Sequence, residues 1–300
     1  MPQASNFNLD GLQRPARTLS APVSLRGVGI HSGVESAVTV FPGAPGDGVI
    51  FVPIGGTPIA AAAANVVDTS RCTVLGANGQ TVSTVEHLLS AFAGLGITDA
   101  RIEIDGPEVP ILDGSALPWV EAILSVGILE GETPAATSTT IRQPLLISGK
   151  NGSFIHVHPA SCFSLTVAAV FDHPLIGTQV ARFVPSEEND YAADVAPART
   201  FGFIEEVEAL RSAGLALGGS LDNAVVVYPD RYSAPLRFPA ELAYHKLLDM
   251  MGDLFLAFGE PLSLRLAIVA VKPSHRLNVE LASRLRDAAA EALPEVNFGT

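Results

Sequence analysis

AYHKLLDMMGDLFLAF, residues 243–258, repeats apolar side chains at three- and four-residue intervals: Tyr244, Leu247, Leu248, Met251, Leu254, Phe255 and Phe258. That period predicts a helix buried over most of its surface, and Pro239 before it and Gly259 after it set the bounds at Pro239–Phe258. His245, Asp249 and Asp253 interrupt the apolar pattern. Each lies four residues from the next, so the three stack along one side, and His245 and Asp249 can reach a single atom between them. Carboxylates on a buried helix are costly unless a cation or hydrogen-bond donors satisfy them.

Outward from this helix the pattern is strand, helix, strand, helix: Val225–Tyr228 precedes it, Leu262–Val271 follows, and Asn278–Leu293 closes as an amphipathic helix. A coarse copy lies earlier in the chain. Ser83-Thr84-Val85-Glu86 fits a capping box opening an apolar helix that stops near Gly94 or Gly96. It leads into a strand at Ala100–Ile104 and a helix at Ala116–Val126. Alternation and turn residues place further strands at Val23–Gly33, Glu35–Phe41, Gly48–Pro53 and Thr73–Leu75 before this copy, and at Ile141–Ile147, Ser153–His158, Ser164–Phe171 and Gln179–Phe183 after it. Glu187–Val195 reads as a helix or acidic loop and Phe203–Ala213 as a helix. The fold class is α+β, in two domains of related plan, each a β-sheet layered against helices. The polar, Pro-containing run EGETPAATSTT at 130–140 marks the boundary. The expected division is a leader over 1–20, a first domain over 21–130, a linker over 131–140 and a second domain over 141–300.

Composition narrows the function. Of 300 residues, 48% are hydrophobic and 16% charged, enough for large cores, and the formal net charge of −13 excludes a general nucleic-acid surface. Cys72 and Cys162 form no CxxC and no framework, which points to a reducing compartment and a cytoplasmic protein. No stretch has the length and character of a stable membrane insertion.

Glu86-His87 has two readings. Glu86 can be a capping-box carboxylate beside a half-buried histidine; alternatively, His87 binds a metal while Glu86 handles the proton of an activated water. His87 with His245 and Asp249 makes an open set of two imidazoles and one carboxylate, the donor type of a catalytic zinc. The ordinary alternative for Asp249 and Asp253 is ion pairing with Lys246, Arg265 or Arg276. His275, past a strand end, and His31, in a Gly-rich turn, are loop histidines of the kind that commonly sit at the surface. His156 and His158 alternate along a solvated strand face.

Several stretches then stand together: GVGIHSG at 27–33, STVEHLLSAFAGLGITDARIEIDGPEVPILDGSALPWV at 83–120, FDHPLIG at 171–177, ARTFGFIEEVEALRSAGLALGGSLDNAVVV at 198–227, HKLLDMMGDLFL at 245–256 and KPSHRLN at 272–278. In order and over most of the chain, they resemble the UDP-3-O-acyl-N-acetylglucosamine deacetylases, zinc amidohydrolases of lipid A synthesis in Gram-negative bacteria. The resemblance implies an active site at the interface of the two domains and one zinc ion on His87, His245 and Asp249. It assigns Glu86 as acid/base, and His275, oriented by Asp253, as the group that stabilises the oxyanion or protonates the leaving amine. Thr200 is implied as a hydroxyl on the oxyanion, and Lys246 as the contact to sugar and diphosphate. Phe171 falls in a turn near the uridine, and the apolar insert at 198–227, with Phe201, in a passage for the 3-O-acyl chain. His31 is taken as a further substrate contact. The partner is a UDP-linked acylated amino sugar and the expected state a monomer. A non-catalytic relative would be expected to lack Glu86 or a metal ligand, and all are present.

Overall fold

The computed structural model describes residues 15–134, 141, 143–186 and 189–292. Its first part runs through strands β1 (Pro15–Leu19), β2 (Val23–Val28), β3 (Glu35–Pro42), β4 (Val49–Pro53), β5 (Ile59–Ala60), β6 (Val66–Asp68), β7 (Val74–Ala77) and β8 (Gln80–Val82). Helix α1 (Glu86–Leu95), β9 (Ala100–Ile104), α2 (Leu117–Val126) and β10 (Ile128–Pro134) follow. The second part has β11 (Leu145–Ser148), β12 (Phe154–Pro159), β13 (Ser164–Val170), β14 (Thr178–Phe183), α3 (Tyr191–Asp194), β15 (Phe201–Phe203), α4 (Ile204–Ser212) and β16 (Val225–Val227). It ends with α5 (Glu241–Phe258), β17 (Leu266–Val271) and α6 (His275–Ala292).

The two large sheets have one plan. Their orders are β2-β3-β9-β4-β5 and β11-β12-β17-β13-β14. In each, the central strand is antiparallel to the preceding hairpin's second strand and parallel to the third strand. In each, that central strand follows a histidine-bearing helix, α1 or α5. The coarse duplication visible in the sequence is therefore a duplication of topology, and the class is α+β. Strict alternation of buried and half-exposed residues along β3 and β13 shows why these stretches form strands with one face inward.

Three expectations are corrected. Residues 15–19, counted with the leader, form β1, which pairs with β10; Ala16 and Leu19 are buried there, and that burial outweighs the missing periodicity. The same pairing carries regular structure to Pro134, into the expected linker; the leader's first 14 residues and residues 135–140 of that linker lie outside the described residues. The capping box does not form: α1 begins at Glu86 with no side-chain cap, and Thr84 has φ 58°.

One buried cluster runs without a break through both sheets and both central helices, including Leu88, Phe92, Leu247, Met251 and Phe255. Helix α5 packs on α1, α6, β13 and β14. Where α1 meets α5, Gly252 faces the start of α1 so closely that a Cβ there would lie 2.0 Å from the Glu86 carbonyl oxygen. In an ordinary helix interior, Gly→Ala stabilises by about 1 kcal/mol. Here the sign reverses: Gly252→Ala should lower the unfolding free energy by about 1–3 kcal/mol through overpacking. Chemical denaturation measures this, and a more stable variant would contradict the close approach.

Candidate active site

The docking of α1 on α5 brings His87, His245 and Asp249 together, all buried, with one potential ligand atom from each lying within 4.8 Å of the others. His245 Nε2 is 3.3 Å and His87 Nε2 3.7 Å from Asp249 Oδ1. His245 Nδ1 donates to the Ala198 carbonyl at 3.2 Å, which fixes the tautomer and leaves Nε2 free to ligate. The Ala198 segment is itself anchored to the start of α5. Arg199 Nε and Nη2 donate to the two carboxylate oxygens of Glu241 at 2.8 and 3.0 Å, and Glu241 has no exposed surface. Burial holds His87 low and pushes His245 down to about 3, against the attraction of Asp249. Both imidazoles are therefore neutral, as ligands must be. Burial would raise Asp249, but His245 and Lys246 outweigh it and hold the carboxyl well below the usual range; Lys246 Nζ donates to Asp249 Oδ2 at 2.8 Å.

Beside this set lies a second group of buried charges. Glu86 Oε1 faces His275 Nε2 at 3.8 Å, and His275 Nδ1 donates to Asp253 Oδ2 at 2.9 Å. Asp253 also accepts from Asn278 Nδ2 at 2.9 Å and from the Thr73 hydroxyl at 2.5 Å. The Thr73 backbone N–H takes Glu86 Oε2 at 3.0 Å, so the Glu86 carboxylate serves this cluster instead of capping its own helix. Burial pushes the Glu86 carboxyl up to about 8, with His275 opposing and Asp253 and Asp249 adding to the rise. For His275, burial acts against the charge, but Asp253 and Glu86 outweigh it and raise the imidazole to about 9. Near neutral pH this gives a cationic His275 facing a carboxyl close to its own titration range.

His275 is not a loop residue. It opens α6, whose start is capped by Ser274: the Ser274 carbonyl accepts from Asn278 N–H at 2.9 Å and the hydroxyl from Leu277 N–H at 3.4 Å. Beginning the helix at residue 275 places Asn278 three positions on, on the face that meets Asp253. Of the ion network expected for the two aspartates, the described contacts show Lys246 with Asp249, while Arg276 pairs with Glu280.

The remaining candidates surround these groups. The Phe201 ring lies 6.0 Å from His245 and under Lys246 Nζ at 5.5 Å, and Phe171 packs edge-on against it at 5.6 Å. Phe171, Asp172, His173, Phe203, Glu205 and Glu206 line an open cleft of about 390 Å³. Thr200 enters β15, with its backbone N–H donating to the Gly114 carbonyl at 2.7 Å; among the described contacts its hydroxyl does not reach the metal set. His31 is held by Glu108, whose buried carboxylate accepts from the backbone N–H groups of His31 at 3.0 Å and Ser32 at 2.7 Å and from the Thr84 hydroxyl at 2.7 Å. Burial lowers the His31 imidazole, Glu108 opposes, and His275 adds to the lowering, so His31 belongs to the same electrostatic neighbourhood. Cys72 is buried, its thiol pushed up to about 12 by burial and by Glu86, which makes it a structural thiol and not a nucleophile. His156 and His158 meet edge to face, ring centroids 4.1 Å apart, on the outer face of the second sheet. Thr73, Asn278 and Glu108 were not singled out by the sequence reading. Asn278 could have been found once Ser274 was recognised as a cap; Thr73 and Glu108 carry no local signal.

Two neutral imidazoles and an ionised carboxylate converge on one point, and His87 Nδ1 is buried with no partner among the described residues. This donor set fits a divalent transition metal better than it fits an ordinary ion network.

A family model described as UDP-3-O-acyl N-acetylglycosamine deacetylase matches residues 16–287. The UDP-3-O-acyl-N-acetylglucosamine deacetylase of Myxococcus xanthus (strain DK1622) is 42% identical over 277 residues, spanning 90% of this chain and 85% of its own length. That of Nostoc sp. (strain PCC 7120) is 42% identical over 275 residues, spanning 89% and 97%. That of Thermosynechococcus vestitus is 44% identical over 270 residues, spanning 89% and 92%.

Glu86 and His275 both bind protons more tightly in the folded chain than in the unfolded one. The stability this contributes is complete below their unfolded values and disappears as pH rises through about 8 and about 9. The melting temperature of the metal-free protein should therefore fall between about pH 7.5 and 9, a range in which the already neutral His87 and His245 no longer change. The fall should be smaller in a Glu86→Gln, His275→Gln variant. Equal slopes for the two proteins would contradict these shifts.

Proposed function

This chain belongs to the UDP-3-O-acyl N-acetylglycosamine deacetylase family, and on that premise we propose that it is a zinc-dependent amidohydrolase. It removes the acetyl group of UDP-3-O-acyl-N-acetylglucosamine, giving acetate and UDP-3-O-acyl-glucosamine in the committed step of lipid A biosynthesis. The observation that carries this reading is the facing of Glu86 and His275, 3.8 Å apart, beside the His87, His245 and Asp249 set.

His87, His245 and Asp249 are the proposed zinc ligands. When bound, the ion supplies Lewis acidity at the amide carbonyl and lowers the pKa of water to roughly 7. Glu86 Oε1, with Oε2 already occupied by Thr73, accepts the proton of the attacking water. Cationic His275 offers positive charge to the developing oxyanion, and Asp253 keeps its Nδ1 proton in place so that Nε2 faces the substrate. An amide nitrogen is a poor leaving group and must be protonated as the C–N bond breaks. Glu86, carrying the proton from water, and His275 are the two donors for that step.

Thr200 is assigned to the oxyanion and Lys246 to the sugar and diphosphate. Phe201, Phe171 and His31 are assigned to substrate binding. The use of the 198–227 insert as an acyl passage is supported by its exposure: α4 has no buried residue, and Leu217 and Leu221 are 52% and 61% exposed, so these apolar side chains do not fill a core. The repeated sheet plan supports two domains over 21–130 and 141–300 with the site between them. Among the described residues no helix is long and apolar enough to cross a membrane. Free cysteine usage supports a cytoplasmic protein, which we take to be a monomer.

Zinc-replete protein should release acetate from UDP-3-O-acyl-N-acetylglucosamine, lose that activity to a chelator and regain it with zinc. Glu86→Ala should keep stoichiometric zinc yet lose about 100-fold or more in turnover, whereas His245→Ala should lose the metal. An inactive zinc-replete enzyme would refute the function, and a Glu86→Ala protein with normal turnover would refute the acid/base role.

A further inference from the structure

We propose that Thr73 is a positioning residue that sets how the Glu86 carboxylate and the His275 imidazole face each other; this rests on the function proposed above. Thr73 is fully buried between α1 and α5 and, like His275 on the opposite side, reaches both carboxylates, here through hydrogen bonds to each. Its backbone N–H binds Glu86 Oε2 at 3.0 Å, its hydroxyl binds Asp253 Oδ1 at 2.5 Å, and its carbonyl accepts from the N–H of Val85, next to Glu86, at 3.4 Å. Asp253 Oδ2 binds His275 Nδ1 at 2.9 Å, and His275 Nε2 returns to Glu86 Oε1 at 3.8 Å. The four residues therefore close a ring: Thr73 to Glu86, across the gap to His275, on to Asp253, and back to Thr73.

Only the span between Glu86 and His275 is too long for a hydrogen bond, and that is where the reacting atoms of a substrate would enter. Engaging Oε2 leaves Oε1 as the free oxygen on that side. Fixing Asp253 Oδ1 orients its other oxygen on His275. A β-branched side chain has few χ1 choices, so the hydroxyl direction is tied to the backbone that holds Glu86. Two residues earlier, Arg71 holds φ 93°, which an L residue seldom adopts.

The test compares Thr73→Val, which keeps shape and backbone N–H but removes the hydroxyl, with Thr73→Ser, which keeps the hydroxyl. Both are assayed as zinc-reconstituted protein beside wild type. The valine variant should bind one zinc and lose about 10-fold or more in kcat with KM within about twofold. The serine variant should recover kcat to within about threefold of wild type. A merely structural threonine would not give this split between kcat and KM, nor rescue by serine. Wild-type kcat in Thr73→Val, or a serine variant as slow as valine, would overturn the proposal. If the valine variant does not fold, Thr73→Ala replaces it in the same comparison. An inactive zinc-replete wild type would refute the function itself, whereas an active wild type with an unaffected Thr73→Val refutes only the role of Thr73.

Discussion

The structure depends on the close approach of α1 to α5 at Gly252. The residue gives up helix propensity so that the backbone carrying Glu86 and His87 can lie against the helix carrying His245, Asp249 and Asp253. A side chain there would push the two helices apart by more than the tolerance of a metal site, in which ligand distances vary by only about 0.2 Å. Close packing and chemistry are thus one constraint: the core that holds the two halves together is the same core that assembles the donors.

Burial then does most of the electrostatic work. It neutralises two imidazoles for ligation and raises Glu86, while specific partners reverse its effect at Asp249 and His275. The result is two adjacent groups with opposite habits, a metal set stripped of protons and a Glu86–His275 pair that retains them. Amide hydrolysis needs a base for water and an acid for the amine, and a carboxyl close to its titration range facing a cationic imidazole offers both proton affinities side by side.

Much of this was legible in the sequence. The period of residues 243–258 located α5, and spacing together with donor chemistry selected His87, His245 and Asp249, because helix geometry converts i, i+4 spacing directly into proximity. The duplicated helix and strand pattern anticipated two sheets of equal topology. Non-local features were not legible. β1 is a strand only because β10 lies beside it, and the Ser83–Glu86 motif fails as a cap because Thr73 and His275 claim the Glu86 carboxylate. Gly252 reads as a helix defect until α1 is placed against it. Glu108, which holds the His31 turn, sits in a Pro-rich connector without periodicity.

Anomalous diffraction at the zinc absorption edge from crystals of zinc-reconstituted protein tests the central claim most directly. The account predicts one strong anomalous peak bounded by His87, His245 and Asp249, with α1 and α5 in contact at Gly252. A peak held by other residues, or none between these three, would contradict it.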